Sequence, residues 1–86
     1  MSVVGVHPRI SERHPEVTDA DVLAAMRSMI RYRQRPAGEW LAVGLDDKSR
    51  LVELVYQYDE EEDFFFVFHG MTPPSAKTLK ELGMER

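Results

Sequence analysis

Three apolar segments in succession, between Trp40 and His69, constrain most strongly what this chain can fold into. They read WLAVGLD at 40–46, RLVELVYQYD at 50–59 and DFFFVFH at 63–69, and all three are rich in β-branched and aromatic residues. Short breaks of turn-forming or charged residues at 46–49 and 59–63 separate them. The sequence therefore predicts three consecutive antiparallel strands.

The middle segment has two different faces, because side chains alternate along a strand. Its apolar face consists of Val52, Leu54, Tyr56 and Tyr58, and we expect a helix to cover it. The apolar residues of the outer segments are expected to extend this covered face: Leu41, Val43, Leu45, Phe64, Phe66 and Phe68. The opposite face would then collect Glu53, Gln57, Phe65, Val67 and His69, and we expect a working surface there.

The main helix is predicted over residues 19–31. Thr18 suits the N-cap, and Asp21 three residues later imitates a capping box. Apolar residues at spacings of three and four form the stripe that would cover the sheet: Val22, Ala25, Met26, Met29 and Ile30. Residues 31–35 fit either an extension of this helix or a strand edge.

The ends of the chain carry shorter signals. Residues 3–6 fit either an edge strand or an ordered tail, of which we prefer the tail, and a brief helix after Pro8 would stop at Pro15. A C-terminal helix is predicted with Thr72 as its cap and Gly83 at its end. The predicted fold is a single α+β domain over residues 1–86. It has a small antiparallel sheet of three to four strands, packed by the main N-terminal helix, and a short C-terminal helix.

Composition and charge narrow the classes of function. The chain has 86 residues and no cysteine, which excludes disulfides and thiolate metal sites. It has no apolar run long enough to span a bilayer, and its start lacks the pattern of a signal peptide. We therefore expect a cytoplasmic protein that is not associated with a membrane. The net charge is −4, with five acids at 59–63 and an arginine cluster at 27–35. This balance argues against strong nonspecific binding to nucleic acid, but not against a small basic site.

Several short motifs agree in order and spacing with a known family. They are Arg13-His14-Pro15, Asp21-Val22, the segment 40–46, Leu51 to Val55, and Phe68-His69-Gly70-Met71. Over about residues 7 to 84 the chain resembles the BrnT-like toxins of bacterial toxin–antitoxin pairs, which share the RelE-type fold. The resemblance implies an endoribonuclease without metal or cofactor, and a cognate antitoxin protein as its partner.

Two residues suited to RNA cleavage, Glu53 and His69, lie on the expected working surface. The reaction needs a base for the 2′-hydroxyl, an acid for the leaving oxygen, and positive charge for the phosphate. His69, Glu53 and His14 are the candidate catalytic residues. The candidate substrate-binding residues are Arg9, Arg13 and Arg33. His7, His14 and His69 have no spacing that is diagnostic of a metal site, and no metal is predicted.

Each of these assignments has a structural alternative. Glu53 and His69 also fit a hydrogen-bonded pair with a purely structural role, as many histidine–carboxylate pairs have. A histidine at the end of a helix, such as His14, is stabilised by the helix dipole. The arginine cluster fits a solvated helix face that pairs with an acidic antitoxin segment as well as it fits a phosphate site. The alternative function is a non-enzymatic interaction domain that binds a protein through its sheet face or an edge strand. A homodimer through the edge of the third strand is compatible with either function.

Overall fold

The three predicted strands form the centre of a five-stranded sheet in the computed structural model, which describes residues 2–85. The elements, in chain order, are β1 (Val3–Val6), α1 (Arg9–Arg13), α2 (Asp19–Arg27), β2 (Met29–Gln34), β3 (Trp40–Leu45), β4 (Leu51–Asp59), β5 (Phe64–Met71) and α3 (Ala76–Glu81). The strand order is β1-β5-β4-β3-β2. The three strands from β3 to β5 pair antiparallel, as predicted. The α+β class is confirmed, with more strands than expected.

The first strand makes the sheet mixed rather than antiparallel. β1 pairs parallel with β5, from Val3 opposite Phe64 to Val6 opposite Val67. Of the two alternatives for residues 3–6 the edge strand is present and the preferred tail was wrong, because the pairing partner lies about sixty residues away and leaves no local signal. β1 also covers the edge of β5 over this stretch, which is the edge that we considered for a homodimer.

Helix α2 begins as the sequence predicts and ends earlier. The capping box is present, since Thr18 Oγ1 accepts from Asp21 N and Asp21 Oδ2 accepts from Thr18 N. The helix ends at Arg27 instead of 31, because the following residues pair as β2 with β3. Ile30 lies at an irregularity in this pairing and is 48% exposed rather than part of the helix stripe.

The turn between β3 and β4 is tied to the start of α2 by buried charge. The Arg50 guanidinium contacts Asp46 at 2.8 Å and Asp21 at 3.1 Å, and Lys48 Nζ lies 3.2 Å from Asp21. Burial would raise the pKa of both carboxyl groups, but their hydrogen bonds outweigh it and lower both pKa values. This network fixes the helix across one end of the sheet.

The sheet has a hydrophobic core on each side, and the prediction assigned two strands to the wrong sides. The core beneath α1 and α2 comprises Ile10, Val17, Val22, Ala25, Ala42, Val52, Leu54, Tyr56 and Val67. The second core, on the opposite side, comprises Leu41, Val43, Val55 and Leu82, with Phe68 packed against it. Cross-strand partners share a face, and the register pairs Leu41 with Val55 rather than with a residue of the helix face. Alternation defines two faces but does not say which one a helix covers.

Helix α3 packs on the second core through its C-cap residue Leu82 and is held by Arg31 of β2 and by Arg35, which follows that strand. Arg31 Nη1 donates to the carbonyls of Leu82 and Gly83 at 3.1 Å, and Arg35 forms two hydrogen bonds with Glu81 at 3.0 and 3.1 Å. In this cluster Arg27 ends α2, Arg31 and Arg33 lie in β2, and Arg35 directly follows β2. Arg31 and Arg35 anchor α3, so the prediction that the cluster forms a solvated helix face was wrong. Gly83 follows the helix with φ +68°, as its role at the helix end requires.

The residue that caps the start of α3 differs from the prediction. The N-cap is Ser75, not Thr72, whose hydroxyl instead donates to the Leu51 carbonyl at 2.6 Å.

In the part of the chain that the structure describes, no helix is long and apolar enough to cross a membrane.

Candidate active site at the Glu53–His69 pair

A bulge in β5 brings the predicted histidine and glutamate together. Tyr56 is opposite Val67, whereas its neighbour Val55 is opposite His69, so Phe68 is an extra residue in the ladder. The bulge leaves Val67 on the α2 side, contrary to prediction, and His69 on the α3 side with Glu53. His69 Nε2 lies 2.7 Å from Glu53 Oε2. The expected pairing of these two side chains is present.

Glu53 is buried and its carboxylate is fully engaged. Its Oε1 accepts from the backbone N–H of Ser75 at 2.9 Å and from the Ser75 hydroxyl at 3.1 Å, while Oε2 faces His69. Burial alone would raise the pKa of Glu53, but hydrogen bonding from His69 and Ser75 outweighs it and lowers the pKa to about 2. Glu53 is therefore ionised at neutral pH and is a poor proton donor.

The ionised carboxylate determines which ring nitrogen of neutral His69 carries the proton. Because both Glu53 oxygens act as acceptors, we assign the proton of neutral His69 to Nε2, which leaves the lone pair on Nδ1. The His69 side chain is 33% exposed, so the imidazole is in reach of solvent. In this arrangement the carboxylate orients the histidine, and the histidine is the group that can accept a proton.

His14 joins the pair from a different element. It is the C-cap residue of α1, and α1 packs against β5. Its ring centroid lies 6.1 Å from that of His69, with the two planes nearly perpendicular at 89°. Its Nδ1 lies 3.6 Å from Glu16, and its side chain is 31% exposed. The structure thus brings together all three residues that the sequence proposed as catalytic.

The three candidate substrate-binding arginines are not brought together. Arg9 and Arg13 are exposed residues of α1, the helix that ends at His14. Arg33 is an exposed residue of β2, and three strand-to-strand steps separate β2 from β5. Only the two arginines of α1 share an element with a residue of the histidine site. Among residues 2–85, no group of three or more histidine and acidic side chains is arranged to hold a metal ion.

Sequence reasoning missed Ser75, which completes the surroundings of Glu53. Its hydroxyl accepts from Thr78 N at 3.2 Å as a helix cap, and the same residue binds the carboxylate with two groups. A serine three residues before a threonine, directly after two prolines, was the available signal for a helix start. This local signal did not reveal that the capping residue Ser75 would contact Glu53 of β4.

Fold and site together define a small α+β protein in which a buried carboxylate orients a half-exposed imidazole beside a second one. No protein-family model matches the chain, and comparisons with curated proteins and with solved structures find no match either.

Proposed function

We propose that this protein is a toxin-like endoribonuclease that cleaves RNA by general acid–base chemistry and is controlled by a partner antitoxin. The observation that supports this most is the adjacency of two half-exposed imidazoles, one of which is held by an ionised, buried carboxylate. Two histidines at this separation suit a reaction in which one group removes a proton while another supplies one. The motif resemblance to BrnT-like toxins points to the same chemistry.

The reaction divides between the two histidines. His69 Nδ1 takes the proton of a ribose 2′-hydroxyl as its oxygen attacks the adjacent phosphorus. The bond from phosphorus to the 5′-oxygen then breaks, and protonated His14 gives its proton to that oxygen. The products are a 2′,3′-cyclic phosphate and a 5′-hydroxyl end. No metal ion takes part in this scheme.

Glu53 acts through His69 as a positioning residue. It holds the Nε2 proton and so presents Nδ1 to the substrate, and it stabilises the imidazolium that forms after proton transfer. Arg9 and Arg13 are the cations that α1 supplies for the crowded phosphate. Nitrogen chemical shifts of the His69 ring measure the first of these roles, and we expect an Nε2–H tautomer in the wild-type protein.

Cleavage of a transcribed messenger RNA by the purified protein tests the proposal, with and without translating ribosomes. The informative variants are His69→Gln, whose amide can still donate to Glu53, and His14→Gln. Each is expected to lose about 10²- to 10⁴-fold in rate, the usual contribution of one acid or base. The cyclic phosphate ends of the products identify the mechanism.

The control variant is Asp47→Asn, in the exposed turn between β3 and β4. It should cleave at the wild-type rate, and urea unfolding of all variants separates loss of chemistry from loss of fold. If well-folded wild-type protein cleaves no RNA under either condition, or if His69→Gln cleaves as fast as wild type, the enzyme proposal is wrong.

A non-enzymatic interaction domain is the second candidate, and the surroundings of Glu53 favour it. All of its hydrogen bonds serve to close the sheet face and seat α3, as in a structural pair. Induced expression in bacteria distinguishes the two functions. Growth arrest that disappears with His69→Gln supports the enzyme, whereas the absence of arrest at every expression level favours the interaction domain.

A further inference from the structure

Helix α3 packs over only one end of its sheet face. It has six residues, and the core beneath it reaches no further than Val55 of β4 and Phe68 of β5. Beyond this core the same face continues with two cross-strand pairs, Gln57 with Phe66 and Asp59 with Phe64. Both phenylalanines are only partly buried, and neither belongs to one of the two hydrophobic cores. This end of the face therefore presents aromatic side chains that α3 leaves open.

The rings of Phe64 and Phe66 form a platform along β5. Their planes differ by 24°, and their centroids are 6.4 Å apart. The Phe64 ring lies over β1 at Gly5, where a Cβ would come within 2.7 Å of the ring and displace it. His7 flanks Phe66 on the same side, with ring centroids 5.9 Å apart. Neighbouring ring faces that are nearly parallel suit a planar cation, which stacks on them.

Carboxylates share a cavity with this platform. The cavity has a volume of about 880 Å³, and its lining includes Gln57, Asp59, Glu60, Glu61, Phe64 and Phe66. Asp59 Oδ1 accepts from the backbone N–H groups of Glu61 and Glu62 at 3.0 and 3.2 Å, which closes the turn that carries the acids. Within residues 2–85, no basic side chain forms an ion pair with the acids of this turn. Uncompensated negative charge and open aromatic faces therefore line one cavity, which complements a cation.

We propose that this cavity binds an arginine in a basic segment of a partner protein, whose guanidinium stacks on the Phe64 and Phe66 rings and pairs with the carboxylates at 59–61. Arginine suits the site better than lysine, because its planar group stacks on a ring while its N–H groups donate to carboxylates. The amide oxygen of Gln57 is a further acceptor.

The volume and the charge favour a segment of another protein as the occupant. A cavity of about 880 Å³ has room for more than one side chain, so residues beside the arginine would fill the rest of it. The negative net charge of the chain disfavours a second copy, and the carboxylates disfavour RNA phosphates in the cavity. The proposal does not depend on the proposed enzyme function.

Selection from a random library of peptides of about 12 residues tests this proposal, with the full-length protein as bait; an extended peptide of this length crosses the sheet. Enriched peptides are expected to contain arginine. Fluorescence anisotropy of a labelled, enriched peptide then gives its affinity. Replacing its arginines by lysine should weaken binding about threefold, and added salt should weaken it further. On binding, the backbone amide signals of residues 57–66 are expected to shift most.

Two variants locate the site, and a third is their matched control. The double variant Glu60→Gln, Glu61→Gln should weaken binding about tenfold. Phe64→Leu keeps an apolar side chain without the aromatic ring and should weaken binding about threefold. The double variant Glu12→Gln, Asp47→Asn removes the same charge from exposed positions elsewhere and should bind like wild type. Urea unfolding shows whether each variant remains folded.

The proposal is overturned if no arginine-containing peptide is enriched, if lysine replaces arginine without loss, or if either site variant binds as tightly as wild type. Equal weakening in the matched control would reveal long-range attraction alone and would also overturn it. Spermidine that displaces the peptide at an equal concentration would assign the cavity to small cations. A wild-type dimer that Glu60→Gln, Glu61→Gln dissociates would assign it to a second copy, and either result would contradict the proposal.

Discussion

Replacing Glu53 by glutamine should make this protein both less stable and less sensitive to acid. The substitution preserves the volume and keeps an oxygen for His69 or for Ser75. It can serve both only if the proton of His69 moves to Nδ1, so that Nε2 accepts from the amide nitrogen while the amide oxygen accepts from Ser75. Hydrogen bonds to a charged carboxylate are then replaced by weaker ones to a neutral amide, and near neutral pH we expect the free energy of unfolding to fall by about 1–3 kcal/mol.

The pH dependence gives a sharper number. Folding lowers the pKa of Glu53 from 4.5 to about 2, and each unit of difference corresponds to about 1.4 kcal/mol. Because the pKa is lowered on folding, the ionised group stabilises the protein above about pH 4.5, and this contribution disappears as the pH falls toward 2. It amounts to about 3 kcal/mol in full, of which about 2 kcal/mol is lost by about pH 3.

Urea unfolding at about pH 7 and about pH 3 measures this effect for wild type and Glu53→Gln. Protonation of other carboxylates, such as Asp21 and Asp46, lowers the free energy of unfolding of both proteins, so the difference between the two proteins isolates the effect of Glu53. We expect this difference to shrink by about 2 kcal/mol on acidification. Glu12→Gln, at an exposed position of α1, is the matched control and should track wild type at both pH values. A difference between wild type and Glu53→Gln that is equal at both pH values would refute the reasoning.

Two further substitutions test how α2 is seated. Gly44→Ala places a methyl group 2.0 Å from the Ala25 carbonyl oxygen, so helix and strand must separate; we expect a loss of about 3 kcal/mol or more, and a thermal midpoint close to wild type would contradict this contact. Arg50→Ala leaves the buried carboxylates of Asp21 and Asp46 without their shared guanidinium and should lower the free energy of unfolding by about 3 kcal/mol in urea. Arg50→Lys should recover only part of this loss, because a single ammonium cannot reproduce both contacts.

Local patterns predicted the elements of this fold that depend on neighbouring residues. The capping box of Thr18 and Asp21 and the three central strands all follow from signals within a few residues. The pairing of Glu53 with His69 was also predicted, but only because two errors cancelled: Phe65 and Val67 were assigned to the face of Glu53, and the bulge that returns His69 to that face was missed. The capping box and the central strands need no information about the rest of the chain.

The features that the sequence did not predict are set by distant contacts. The parallel pairing of β1 depends on β5, and the early end of α2 depends on the pairing of β2 with β3. The bulge at Phe68 divides β5, so Val67 faces α2 while His69 faces α3. A strictly alternating strand would have placed Val67 and His69 on one side, and no residue in DFFFVFH marks the change.

The same carboxylate serves the architecture and the proposed chemistry, and this explains why a charged group is buried in an otherwise apolar face. One oxygen of Glu53 accepts a hydrogen bond from Ser75 at the start of α3, and the other oxygen fixes the His69 ring. Removing it must therefore change stability even if the protein has no catalytic function. His69→Gln can keep the hydrogen bond to Glu53, and with it the seat of α3, while removing the base. Stability that survives in His69→Gln together with a lost activity would assign the imidazole to chemistry, whereas equal losses of stability in His69→Gln and Glu53→Gln would assign the pair to the fold alone.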